Sequence, residues 1–168
     1  MKIDHVKLQP WLGLLSRLIL GGVLFAAGAL KVGTPEKSQM AVRAYEMLPI
    51  SIANFLGLAL PLIEIVIGAL LILGALTRVV AALGGFTMFI FIIAIAQAWA
   101  RGLNIDCGCF GGGGTVEPGQ TRYLQEIIRD IGLVLLALYL IRYPFTKFSI
   151  DKNPADGAGA KSEAGEVK

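Results

Sequence analysis

The sequence is poor in the side chains from which soluble enzymes build their sites. Only 16% of its 168 residues are charged, and it holds one histidine, His5, and two cysteines, Cys107 and Cys109. Such a set cannot complete a tetrahedral zinc site of four Cys or His ligands within one molecule. No metal is therefore expected. Fifteen Lys and Arg stand against 12 Asp and Glu without clustered basic runs, which excludes the basic patch that nucleic-acid binding requires. No long polar stretch interrupts the chain before residue 151, so no separate soluble domain has room to form.

Apolar residues are plentiful, 55% of the total, and they come in blocks. A hydrocarbon core about 30 Å thick needs roughly 20 residues of helix to cross it. Four such blocks run over about Trp11–Leu30, Ile52–Leu76, Val79–Trp99 and Tyr123–Tyr143. The fold class predicted is all-α: an antiparallel four-transmembrane-helix bundle over 1–150. Residues 151–168 have too little to bury to offset their ordering entropy, which predicts a disordered polar tail. Trp11, Trp99, Tyr123, Tyr139 and Tyr143 sit near span ends, where amphipathic rings favour the headgroup layer. The link between the second and third spans reads as Thr77-Arg78. Close helix approach is expected at Gly22/Ala26, Ala81/Gly85 and Ala94/Ala98, pairs of small residues four apart. The first span is longer than the apolar core of a cleavable signal and reads as a membrane helix.

With both termini cytoplasmic, Lys2, Lys7, Arg78, Arg142, Lys147 and Lys152 face inward, against Lys31, Lys37, Arg43, Arg101 and Arg122 outside. The count is six positives inside to five outside, a narrow margin in favour of this orientation. The orientation places the loop between spans three and four outside, where disulfides persist. That loop carries Asn104-Ile105-Asp106-Cys107-Gly108-Cys109-Phe110-Gly111. Two thiols one residue apart, with Gly108 between them and Gly111 to Gly114 behind, read as a redox pair. A disulfide across one residue needs a sharply bent backbone, and strained, exposed disulfides are the ones that exchange. Three plainer roles compete: half of a zinc site, a structural brace, or two idle thiols. A brace closing so small a loop removes little chain entropy.

Arg17, Glu64, Arg129 and Asp130 interrupt the apolar blocks. A charge inside a bilayer costs a few kcal/mol unless paired or hydrated, so these side chains are expected to face inward as a polar network. At about 1.5 Å per residue, Glu64 and Arg129 lie at matching depths below the outer surface, which predicts that they pair. Arg17 starts nearer the inner face and would reach upward to join them. Glu126 extends the stripe towards the cysteines, and Lys31 reads as an anchor at its helix end.

These residues together resemble the DoxX/MauE group of redox-associated membrane proteins. The likeness rests on an arginine early in span one, Phe25-Ala26-Ala27-Gly28-Ala29-Leu30-Lys31, Pro61-Leu62-Ile63-Glu64 and Arg129-Asp130. Cys107-Gly108-Cys109-Phe110-Gly111 points to the MauE branch. The resemblance implies a four-helix bundle of a bacterial-type plasma membrane. It also implies that Cys107 and Cys109 support disulfide formation or maturation of exported proteins, with a thioredoxin-like or other exported thiol partner. Disulfide generators of the DsbB and vitamin K epoxide reductase type are similar only in architecture and task. They relay oxidation through two cysteine pairs, whereas one pair here must exchange directly and be reset from outside. A bound quinone is one possible acceptor, another protein or a small thiol are others. The competing reading is a non-catalytic anchor or subunit of an exported or quinone-linked redox complex.

Overall fold

The computed structural model describes residues 5–109, 112–144 and 146–151, with side chains from Gln9 onward. The tail expected over 151–168 lies outside these apart from Asp151, as do Phe110 and Gly111 of the cysteine motif. Among the described residues five helices form: α1 (His5–Val32), α2 (Pro35–Ala44), α3 (Ile50–Leu73), α4 (Thr77–Ala100) and α5 (Tyr123–Arg142). Between α4 and α5, β1 (Ile105–Asp106) and β2 (Gly114–Thr115) make an antiparallel ribbon, with Ile105 opposite Thr115 and Asp106 opposite Gly114. Among the described residues three helical stretches, Gln9–Val32, Ile50–Leu73 and Thr77–Ala100, are long and apolar enough to cross a membrane.

Both the core and the outer surface of the helices are apolar. Leu20, Leu24, Ile67, Leu71, Val80, Met88, Leu133 and Leu140 are buried between the long helices. Leu62, Val66, Phe86, Phe89, Leu135 and Leu138 are exposed on the outside. An apolar exterior of this kind is stable in hydrocarbon. Helix α1 packs mainly on α3, and α4 on α5. Glycine sets the first contact: a Cβ on Gly68 would stand 2.5 Å from the Phe25 backbone nitrogen, and one on Gly28 would stand 2.6 Å from the Pro61 carbonyl. Gly85 does the same against Ala137, at 2.8 Å. Gly22, by contrast, has open space around it, so the expected Gly22/Ala26 contact gives way to one through Gly21, Gly28 and Gly68. A four-residue spacing finds a helix face but does not say which of several small-residue faces meets a neighbour.

The short helix α2 lies outside the four apolar blocks, and half of its ten residues are polar or charged. Pro35 starts it, Glu36 occupies its first turn and Arg43 its last, the charge order that the helix dipole favours. It lies across the end of α3, where Pro61 removes one helical N–H and frees the Gly57 carbonyl. The Ser38 hydroxyl of α2 donates to that carbonyl at 2.6 Å. Gly57 also lacks the Cβ that would meet the Gln39 backbone at 2.5 Å. Proline, serine and glycine thus join the two helices at one point.

The α3–α4 link is Gly74 to Leu76 rather than Thr77-Arg78. Gly74 adopts φ +71°, and the Gly74 and Ala75 amides close on the Leu71 and Leu70 carbonyls, a glycine C-cap. Asp151 belongs to this link and not to a free tail. Its carboxylate accepts the Leu76 and Thr77 amides at 2.8 and 2.7 Å, satisfying orphan donors at the α4 N-terminus.

Candidate functional site

Cys107 and Cys109 lie in the connection between β1 and β2, at the end of the bundle where α2 sits. Both are free thiols and both are buried, where the sequence suggested an exposed pair. The cause is the glycine segment. A Cβ on Gly108 would stand 2.5 Å from the Ala41 Cβ, and one on Gly113 would stand 2.5 Å from it too. The connection therefore presses against α2 and is roofed by it. Tyr123 fixes its base, donating its hydroxyl to the Leu103 carbonyl at 2.5 Å and accepting the Ile105 amide at 3.1 Å. The Tyr45 hydroxyl donates to the Cys107 carbonyl at 3.4 Å. Burial pushes that phenol well above its ordinary range, so Tyr45 acts only as a neutral hydrogen-bonding group.

The turn places the two sulfurs side by side. Gly108 takes φ +71° and donates its amide to Asp106 Oδ1 at 3.2 Å, and the Cys109 amide donates to Cys107 Sγ at 3.3 Å. The thiols also hydrogen-bond to each other, and the pair is unequal. That bond lowers Cys109 against the opposing effect of burial, with the Arg129 guanidinium assisting. The same bond and burial raise Cys107. Arg129 of α5 lies within side-chain hydrogen-bond reach of Cys109, and Glu126, one turn earlier, within reach of Cys107. Cys109 is accordingly the more acidic thiol of the pair, and Cys107, beside a carboxylate, the less acidic one.

Glu126 was read from sequence as part of a polar stripe and not as a thiol partner. Ligand atoms of Asp106, Cys107 and Glu126 lie within 4.8 Å of one another. This mixed thiol and carboxylate group is invisible to a search of the sequence for Cys and His spacing.

Beneath Cys109 the buried charges pair differently from expectation. Glu64 meets Lys31, whose Nζ stands 2.7 and 2.9 Å from the two carboxylate oxygens. Arg129 pairs with its neighbour Asp130, Nε and Nη2 both at 2.8 Å from Oδ1. Lys31 is thus no headgroup anchor: it ends α1 under α2, 7% exposed. Depth matching passed over it because a lysine at a helix end usually snorkels outward. The two pairs still share one region, for Lys31, Glu64, Cys109, Arg129 and Asp130 surround a void of about 10 Å³. Arg17 does not join them. It is buried at the opposite end, donating to Thr146 Oγ1 at 2.7 Å and to the Phe148 carbonyl at 3.0 Å. Closing residues supplied from beyond α5 made the upward reach unnecessary.

A larger cavity of about 340 Å³ lies between α2, α3 and α4, with Cys107, Gly108 and Cys109 on its wall. Lys31 and Tyr45 supply polar groups there, and the remainder is mostly aliphatic.

No curated protein and no solved structure matches the chain. One family model does, described as methylamine utilisation protein MauE, over residues 9–143. This multi-pass membrane protein, with its membrane-spanning helices and buried cysteine pair, belongs to the MauE family.

Proposed function

We propose that the protein is an integral membrane thiol–disulfide exchange protein that supports disulfide formation or maturation of exported proteins. The observation that carries this reading is the inequality of the two sulfurs: Arg129 faces Cys109, while Glu126 faces Cys107. In the oxidising direction a partner thiolate attacks Cys107 of the Cys107–Cys109 disulfide, and Cys109 leaves as the thiolate that Arg129 stabilises. A lower thiol pKa makes a faster leaving group. The second partner thiol then attacks the partner's own sulfur in the mixed disulfide, expelling Cys107, which takes up a proton beside Glu126. The partner dithiol is oxidised by two electrons and the cysteine pair is reduced by two.

The helix α5 serves in this reading as a fourth span. Leu124, Ile128, Ile131, Leu135 and Leu138 make its exposed face apolar, while Asp130 is fully buried. Glu126, Arg129 and Asp130 lower its mean hydropathy, while none of the three is on its fully exposed face. Both termini face the cytoplasm and the cysteine turn faces the exoplasmic side of a bacterial-type plasma membrane, where a thioredoxin-like protein is a fitting partner. The likeness to DoxX-type proteins points to the same redox chemistry.

Burial of both sulfurs favours one rival, a non-catalytic anchor whose cysteines brace the turn. Oxidised protein mixed with a reduced two-cysteine peptide separates the two. Exchange converts the peptide to its disulfide, one per protein, and neither Cys107→Ser nor Cys109→Ser does so. An intact pair that leaves the peptide reduced establishes the anchor.

A further inference from the structure

The buried thiols raise a question of supply, because the chain has no second cysteine pair to which two electrons could pass. The 340 Å³ cavity touches both cysteines, and its size falls at the lower end of small-molecule sites, about 300–1,000 Å³. Among its lining residues, Met47, Leu48, Ile90 and Ile93 are exposed apolar side chains. It therefore opens on the apolar surface of the bundle and not on charged groups. Ile90 and Ile93 belong to a candidate membrane span, so a lipid-soluble molecule has a way in from the bilayer. Inside, Lys31 offers the polar contact: an ammonium has three N–H donors, and Glu64 accounts for two contacts, at 2.7 and 2.9 Å.

We propose that this cavity is a quinone site and that a membrane quinone takes the electrons of the Cys107/Cys109 dithiol. The inference rests on the exchange reading and names its acceptor. A quinone suits the wall on three counts: a planar apolar ring, carbonyl oxygens to accept from the Lys31 ammonium that lines it, and a capacity of two electrons and two protons. The Cys109 thiolate adds to a ring carbon, forming a C–S bond. Cys107, giving its proton to Glu126, attacks Cys109 Sγ; the S–S bond forms, the C–S bond breaks, and its electron pair stays on the ring. The Cys107 proton passes from Glu126 to one quinol oxygen, and the other takes from water the proton that Cys109 released on becoming the thiolate, so one dithiol and one quinone become one disulfide and one quinol.

The test uses reduced full-length protein in lipid nanodiscs, without oxygen, with decylubiquinone as the probe. Quinone loss is followed by ultraviolet absorbance and thiol loss by alkylation and mass. Wild type is expected to yield one quinol per cysteine pair. Ala94→Trp on α4 and Leu60→Trp on α3 fill the cavity from facing walls, and each should slow quinol formation at least tenfold. Their equilibrium with glutathione should match wild type, since an equilibrium does not depend on access. If Ala94→Trp fails to fold, Leu60→Trp decides. A wild type that equilibrates with glutathione but leaves decylubiquinone oxidised overturns the quinone site and spares the exchange reading. Unchanged quinol formation in the folded tryptophan variants does the same. A wild type that equilibrates with neither overturns both.

Discussion

At the scale of single residues the chemistry turns on one proton held between two sulfurs. Alkylation reports the thiolate, whose fraction falls as pH drops below the thiol pKa. Cys109 is held below its ordinary value by the Cys107 hydrogen bond and Arg129. Its alkylation should therefore persist at pH values below about 8.5, where ordinary thiols fall silent, and fade only below its own lower midpoint. Arg129→Gln should slow Cys109 alkylation at pH 7 about tenfold, the equivalent of ~1.4 kcal/mol of thiolate stabilisation. Arg129→Lys should keep most of the rate. Peptide mapping by mass spectrometry checks both, and equal rates at Cys107 and Cys109 would count against the assignment. The two cysteines were legible from spacing alone. Their partners were less so, because Glu126 and Arg129 gain meaning only when α5 brings one helical face under the turn.

At the scale of elements, two junctions hold the site in place. Removing one partner of a buried ion pair leaves an uncompensated charge and costs about 3–5 kcal/mol. Glu64→Gln should therefore lower the thermal midpoint in detergent well beyond any change at exposed Arg101. The double variant Lys31→Met/Glu64→Leu should recover most of the loss. The second junction is Ser38 on the carbonyl freed by Pro61. Ser38→Ala leaves that acceptor unsatisfied, at about 1–3 kcal/mol, whereas Pro61→Ala in the same chain returns the missing N–H. Thermal melts of the two singles and the double should show rescue; additive losses would contradict the junction. Helices α1, α3, α4 and α5 were plain from their apolar blocks to within a few residues. The helix α2 and the β1–β2 ribbon were not, since both are short and take their order from what they press against, Gly57 and Tyr123. The Glu64 partner was misread for a related reason: matching depths ignored the roof that turns Lys31 inward.

At the scale of the whole molecule, the bundle has two unlike ends. One gathers Arg17, Gly74, Thr146, Phe148 and Asp151 into a hydrogen-bonded closure. The other carries α2 and the thiols over the buried charges. A cysteine placed at exposed Glu117, in a chain with Cys107→Ser and Cys109→Ser, should react with a membrane-impermeant maleimide in intact spheroplasts. Reaction only after lysis would reverse the orientation. The membrane-spanning helices were readable from the lengths of the apolar blocks. The apolar cavity was not, because it is a gap between three helices and leaves no mark on any one of them. The central claim is that Cys107 and Cys109 form a pair built for exchange, and the most direct measurement is its redox midpoint. Titration against glutathione and dithiothreitol, read as the fraction of the two cysteines alkylated, should place the midpoint above about −300 mV, in the range of exchanging disulfides. A midpoint below that range, where inert structural bridges lie, would contradict the exchange function.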